Sequence, residues 1–515
     1  MKNIKIIIVS ILILTFSSCS KLTEKLRGTV ETGGSGGAVN VAALLQGAYD
    51  NLGVFDDQAL WWAASEHTTD ECIGPTRGPD WDDNGVWRVL HNHRWDADHG
   101  FLTDTYRNLG QLQFAATTVL DNGPSPQQAA EARFIRAFAM WAVLDGWDQV
   151  PFRATTTGDL TKTLPETKKG AAGTDFLIAE LNAALPNLPD GPKWKANKNA
   201  ARALLMKLYL NKGAYTNRTA PTFAPADMNQ VISLADAIIN STTPAYALAT
   251  NYYDNFAPDN STNTNENIWA TEHTNATGKG GNNQSRWFCG LHYNHNPSGW
   301  NGFTTLGDFY DKFTATDKRR GDTYPGVTNV SGLRVGMLFG QQFDQSGTAL
   351  QDRRGNPLSF TKAVLLKETG SNLEITGIRV MKYPPDYAAL FPANNDMVIF
   401  RLADVLLMKA EAILRGGTGT VAGPYGNTAL AIVNFIRLHP SRNAGALVSV
   451  DLNAILDERG RELYWEAWRR NDLIRFGRFL AAWQEKPASG SERLLFPIPN
   501  EQLAANPNLT QNPGY

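Results

Sequence analysis

The stretch Pro126-Gln127-Gln128-Ala129-Ala130-Glu131-Ala132-Arg133-Phe134-Ile135-Arg136-Ala137-Phe138-Ala139-Met140-Trp141-Ala142-Val143-Leu144-Asp145-Gly146-Trp147 decides the fold. Alanine has the highest helix propensity, and its short side chain lets a second helix approach closely. The neighbouring segments read the same way. Phe101 to Leu120 carries Leu102, Tyr106, Leu109, Leu112 and Ala116 on one stripe. Val39 to Leu52, Thr174 to Leu185, Lys198 to Lys212 and Ala226 to Asn240 continue the series. Leu402 to Arg415, Thr428 to Leu438 and Leu452 to Trp483 resume it. Short turns with Gly or Pro separate many of them. Helix pairs with small residues at their contacts predict a mainly α chain, a tetratricopeptide-like solenoid, although no clean 34-residue repeat is visible.

Helical periodicity fails between residues 251 and 395. Twelve asparagines fall between Asn251 and Asn301, with scattered aromatics among them. Only about Thr304 to Phe313 reads as helix, and Val364 to Glu368 and Ile375 to Lys382 read as short strands. A long irregular segment rich in aromatic residues points to a functional insertion. The expected organisation is therefore a leader (1–18), a flexible linker (19–37), an N-terminal helical part with binding loops (38–250), the loop-rich insertion (251–395) and a C-terminal helical part completing the solenoid (396–515).

Composition narrows the function. The chain has 515 residues, with 48 Lys+Arg against 50 Asp+Glu. A balance of −2 argues against nucleic-acid binding, which needs a basic face to displace counterions. The three cysteines, Cys19, Cys72 and Cys289, form no Cys-x-x-Cys pair, so a zinc ribbon and a thioredoxin-like centre are excluded.

Lys2 and Lys5 precede an apolar run from Ile6 to Leu14, followed by Phe16-Ser17-Ser18-Cys19. The run is too short to span a bilayer and reads as a signal peptide. Small residues directly before a cysteine are how a bacterial lipobox ends, with Phe16 where leucine is usual. Cys19 is therefore the expected lipidation site, tethering the mature chain to a membrane. Gly33-x-Ser35-x-Gly37 matches a nucleophile elbow in letters only, since no buried strand precedes it.

Trp61, Trp62, Trp81, Trp87 and Trp95 crowd into 35 residues around a loop, residues 70–83, that mixes Asp, Arg and Trp. A second cluster holds Arg286-Trp287-Phe288, Tyr293 and Trp300-Asn301-Gly302. Sugars present apolar C–H faces and a rim of hydroxyls. Indoles stack on the first, and carboxylates, amides and guanidinium groups bond the second. Jointly the clusters favour a binding face over mere loop anchors. Asp80-x-Asp82-x-Asn84-Gly85 opens like a calcium loop, but His91 stands where the bidentate Glu belongs, so an Asx-rich turn is the preferred reading. His91, His93 and His99 with Asp96 and Asp98 lack a zinc signature and read as a solvated loop and helix start, with Asp96 or Asp98 near an N-cap. No metal or cofactor is expected. Cys72 and Cys289 have no nucleophile signature, and no carboxylate pair stands out as a glycosidase acid and base. The charged helix around 457–473 reads as ion-pair scaffolding, with Glu466 and Arg470 as an i,i+4 pair.

Several motifs resemble the SusD/RagB family, the surface glycan-binding lipoproteins of Bacteroidetes nutrient-uptake systems. They are the lipobox at Cys19, Thr69-Asp70-Glu71 with Pro75-Thr76-Arg77-Gly78, Gly299-Trp300-Asn301-Gly302 leading to Asp308-Phe309-Tyr310-Asp311, and residues 401–412. Glu458-Arg459-Gly460-Arg461-Glu462-Leu463 and the tail from Leu495-Phe496-Pro497-Ile498-Pro499-Asn500 to Gln511-Asn512-Pro513-Gly514-Tyr515 complete the set. The resemblance implies a right-handed array of tetratricopeptide-like helix pairs. It also implies a non-catalytic oligosaccharide-binding protein at the outer membrane, acting as a lid on a SusC-like, TonB-dependent transporter. The helical face would dock the transporter and the loops would hold the glycan. Trp81, Trp87, Trp95, Trp287, Tyr293 and Trp300 are the candidate aromatic contacts, with Asp70, Arg77 and Asn301 as polar partners. The competing readings are a lipid-anchored glycoside hydrolase and a peptide-binding member of the same family.

Overall fold

Ser125 and Gln128 start the Ala-rich helix by a reciprocal cap. The Ser125 hydroxyl accepts from the Gln128 N–H (3.3 Å), and the Gln128 side chain accepts from the Ser125 N–H (3.0 Å). The helix runs Pro126–Trp147 and ends where Asp148 turns left-handed at φ 65°. Nearly every residue from Ala130 onward is buried, because its small side chains allow neighbours on more than one side. The computed structural model describes residues 39–160, 162–278 and 287–515. The leader, Cys19 and the linker lie outside the described residues.

The helices stack in chain order. Gly100–Asp121 packs on Pro126–Trp147, which packs on Gly170–Ala184, then Lys198–Thr216, then Pro225–Ile239. The chain then leaves for the insertion. When it returns, Leu402–Leu414 packs directly on Pro225–Ile239 and carries Ala429–Leu438 and Leu452–Leu463. The tetratricopeptide-like array thus continues as though the insertion were absent. An antiparallel pair, Asn267–Thr271 with Met397–Arg401, ties the insertion's entry to its exit. Residues Val41–Tyr515 form one compact unit. No helix among the described residues is long and apolar enough to cross a membrane.

Ion pairs join the array to the insertion. Buried Arg401 donates to Glu266 (2.8 Å), Glu462 (2.6 Å) and Glu466 (2.8 Å). Glu462 also takes Arg442 (2.6 Å) and Arg319 (2.8 Å). Burial opposes ionisation of Glu458, but Arg319, Arg461 and Arg437 hold its carboxyl down at about 2. The scaffold reading of this segment stands, with two corrections. The expected helix 452–483 breaks into Leu452–Leu463 and Arg469–Arg475. Between them Trp465 (φ 59°) and Ala467 (φ 65°) turn left-handed, and the buried carboxyl groups of Glu71 and Glu66 accept their N–H groups (3.3 and 2.5 Å). The break also removes the i,i+4 geometry: Glu466 binds Lys382 and Arg401, while Arg470 turns to Asp145.

In the insertion, helix survives only over Gly307–Tyr310 of the expected 304–313. Its strands are short. Lys367–Glu368 pairs in parallel with Thr76–Arg77, and Arg379–Met381 pairs antiparallel with Val335–Leu338. Ile73 and Thr304 exchange backbone bonds (2.9 and 3.0 Å), and the Thr305 N–H reaches the Ile378 carbonyl (2.9 Å). Three distant segments, near residues 75, 300 and 375, are laced side by side.

Candidate functional site

Gly299-Trp300-Asn301-Gly302 sits at this lacing, and its glycines are dictated by space. A side chain at Gly299 would stand 2.2 Å from the Leu291 carbonyl, and one at Gly302 2.3 Å from the Trp81 ring. With both flanks pressed inward, Trp300 projects and is 41% exposed. Phe288 stacks beneath it (5.7 Å, 23°) and Trp81 lies tilted beside it (6.5 Å). Trp81, at φ 58°, donates its indole N–H to the Trp300 carbonyl (2.9 Å). The support is Phe303, at the centre of Trp62, His67, Trp81 and Trp87. The result is a half-exposed aromatic shelf on a rigid base.

A cleft of about 180 Å³ opens in the same laced region, with Arg77, Asn301, Tyr293 and Asp80 in its lining. The Arg77 guanidinium donates to the Leu373 carbonyl (2.7 Å), the Thr376 hydroxyl (2.5 Å) and the Thr376 carbonyl (2.8 Å). Asn301, at φ 55°, accepts from Arg379 (2.6 Å). The Tyr293 hydroxyl donates to Asp80 (3.2 Å), and Arg353 covers the Tyr293 ring at 3.8 Å. Arg353 also pairs with Glu374 (2.6 Å), whose other oxygen binds His292 (2.8 Å). Burial pushes Glu374 upward, but the Arg353 and His292 bonds outweigh it and hold its carboxyl below the usual range.

Of the residues proposed from sequence, Arg77, Trp81, Tyr293, Trp300 and Asn301 are brought together here. The others are not presented. Trp87 (3% exposed) donates to Asp83 (2.7 Å), Trp95 (1%) donates to the Tyr515 hydroxyl (2.6 Å), and Trp287 (0%) is fully enclosed. Their indole faces are spent on packing, so they cannot stack on a ligand. Asp70 makes a two-point pair with Arg469 (2.7 and 2.8 Å), away from the cleft. Asp80, Asp352, Arg353, Arg354 and Glu374 were missed. The signal available was the turn Asp352-Arg353-Arg354-Gly355, which sets two arginines on a loop.

The acidic residues of the calcium-like stretch bond to neighbouring side chains. Asp82 pairs with Arg88 (2.6 Å), and Asp80 and Asp83 serve Tyr293 and Trp87. No group of three His, Cys, Asp or Glu suited to a metal occurs among the described residues. The histidines are not solvated as expected. His91 bridges the Cys72 and Gln484 carbonyls (3.1 Å each), and His93 bridges Ser489 and Thr68 (3.0 and 2.9 Å). The helix start is where it was expected: His99 is the N-cap of Gly100–Asp121, with Asp98 directly before it. Cys72 and Cys289 are free and buried, and burial pushes both thiols up, away from nucleophile chemistry.

The cleft and the exposed Trp300 indole stand on a tetratricopeptide-like array, and known proteins resemble this chain in sequence and in fold. Residues 376–515 match the SusD family model. The chain is 26% identical over 498 residues to the starch-binding protein SusD of Bacteroides thetaiotaomicron, covering 88% of this chain and 84% of that one. A SusD superfamily protein from Parabacteroides distasonis superposes with a TM-score of 0.69 at 18% identity, covering 92% and 98% of the two chains. A laminarin-binding SusD-like protein superposes with a TM-score of 0.68 at 21% identity, covering 92% and 99%. The family match is confined to residues 376–515, while similarity to SusD proteins in sequence and in fold extends over most of the chain.

Proposed function

We propose that the protein is a non-catalytic oligosaccharide-binding lipoprotein of the outer-membrane surface, anchored through Cys19. It passes its ligand to a SusC-like, TonB-dependent transporter. The observation that carries this reading is the Trp300 indole, held half exposed beside a polar cleft. An exposed, rigid indole with charged and amide groups at its edge suits the C–H face and hydroxyl rim of a sugar. Relatives named for starch and laminarin binding add support.

The state of the cleft carboxylates favours binding over hydrolysis. A glycosidase needs one carboxyl kept protonated as the general acid. Glu374 is held ionised instead. Asp352 is too: burial opposes ionisation, but N–H bonds from Asn356 and Arg354 outweigh it. The test is retention on a glycan array, followed by incubation with the best-retained glycan. Retention with the glycan intact supports the reading. Cleavage would replace it with a hydrolase, and silence on every glycan would overturn it and bring peptides forward.

A further inference from the structure

The hydrogen-bond inventory of the cleft is lopsided. Its acceptors are largely used. Glu374 accepts from the Arg353 side chain, the Arg353 N–H (3.0 Å) and His292. Asp352 accepts from the Arg354 and Asn356 N–H groups (2.9 and 2.8 Å) and from the Asn356 amide (3.2 Å). Asn301 is filled by Arg379. Asp80, on the exposed rim, keeps acceptor capacity beyond its bond from Tyr293.

The donors are in surplus. Arg77 is 3% exposed, lines the cleft, and its Nε has no partner. Its other bonds go to neutral oxygens. So do all those of Arg379, to Asn301 and the carbonyls of Glu374, Thr376 and Gly377. The guanidinium of exposed Arg354 donates to the Ser371 carbonyl (2.8 Å). Among the described residues no carboxylate lies within ion-pair distance of Arg77, Arg354 or Arg379. The strand partner of Arg77, Glu368, turns its carboxylate to the Leu365 N–H instead (2.8 Å). Burial lowers the Arg77 guanidinium to about 10, a sign of charge short of compensation. A buried charge is costly until it is paired.

A neutral sugar hydroxyl both donates and accepts, so it suits a wall offering both. Guanidinium groups bonded only to neutral oxygens, with no carboxylate to balance Arg77 and Arg354 in the wall or Arg379 beside Asn301, suit an anion, and the planar guanidinium fork fits carboxylate or sulfate oxygens in particular. Resting on the glycan-binding reading, we propose that the cleft selects an anionic oligosaccharide. The sugar ring would stack on Trp300, and its carboxylate or sulfate would enter between Arg77 and Arg354.

The test is an array of neutral, uronate-containing and sulfated oligosaccharides, probed with the purified protein and with Arg354→Gln. Arg354 is exposed, so its substitution leaves the fold intact. The expected result is retention of acidic glycans over neutral ones, with uronates and sulfates separating the two anion sources. Affinity for the best acidic glycan should fall about tenfold in Arg354→Gln, the scale of one charge-assisted hydrogen bond, and should weaken further at high salt. Retention of neutral glycans alone, or equal retention of both, overturns the anionic assignment and leaves the glycan-binding reading standing. An unchanged affinity in Arg354→Gln overturns the role of this cleft. Retention of no glycan overturns both.

Discussion

Replacing Gly302 with alanine adds one methyl group, and the structure says what it meets. The new carbon would lie 2.3 Å from Cε2, 2.4 Å from Cζ2 and 2.8 Å from Nε1 of Trp81. Ordinary contact begins near 3.4 Å, so the indole must retreat by about 1 Å. It has little room, with Phe303 at 4.9 Å and Trp87 at 5.9 Å between ring centres. The retreat also stretches the 2.9 Å bond from Trp81 to the Trp300 carbonyl. Overpacking costs about 1–3 kcal/mol and the lost bond about 1 kcal/mol, so the destabilisation is on the order of 2–4 kcal/mol. Because that bond fixes the shelf, Gly302→Ala should also lose glycan affinity. The control is Gly110→Ala, inside the Gly100–Asp121 helix, where the added carbon meets nothing within 4 Å. It should stabilise by about 0.5–1 kcal/mol through helix propensity. Denaturant unfolding and calorimetric titration read both quantities. If Gly302→Ala matches the parent in both, the shelf is not held by this contact.

Arg401→Met leaves Glu266, Glu462 and Glu466 without their shared buried cation, and should cost about 3–5 kcal/mol in denaturant unfolding; a loss below about 1 kcal/mol would refute the scaffold role. Stability should peak near pH 6.5. Below it, burial has lowered His67 and His295 to about 3 and His91 to about 4, so the unfolded chain takes up protons that the fold refuses, and stability falls as pH drops. From pH 6.5 to 8 the sign reverses, since burial raises Glu66 to about 8 and the fold holds a proton that the unfolded chain has lost. Burial raises Glu71 as well, so the slope is about 1.4 kcal/mol per pH unit for each proton so held, and Glu66→Gln should reduce it in thermal unfolding. Cys19→Ser should move the protein from the membrane to the soluble fraction, and continued membrane retention would refute the anchor.

The Ala-rich helix was legible to its end residues because everything that fixes it is local. The break at residues 464–468 was not, because it hangs on Glu66 and Glu71, almost 400 positions away. No glycine or proline marks the turn, and tryptophan and alanine at positive φ give no sequence signal. The histidines misled for a related reason: polar side chains on a short loop read as solvated until Thr68, Gln484 and Ser489 close over them. The candidate site was half legible. Indole is both the largest packing group and the best sugar platform, so composition located the clusters but could not sort Trp300 from Trp87, Trp95 and Trp287. That sorting comes from the two crowded glycines around Trp300 and from the Phe303-centred core. Arg353 and Arg354 reach the cleft only through the fold of the insertion.

The central claim is that Trp300 is the surface on which a sugar ring rests. The direct measurement is calorimetric titration of the best-retained array glycan into the parent protein and Trp300→Ala, with circular dichroism confirming an unchanged fold. Because the indole is half exposed, its removal should leave the unfolding midpoint nearly unchanged. Affinity should fall at least about tenfold, the scale of a lost stacking contact of 1 kcal/mol or more. Equal affinity in the two proteins would place the binding surface elsewhere on the molecule.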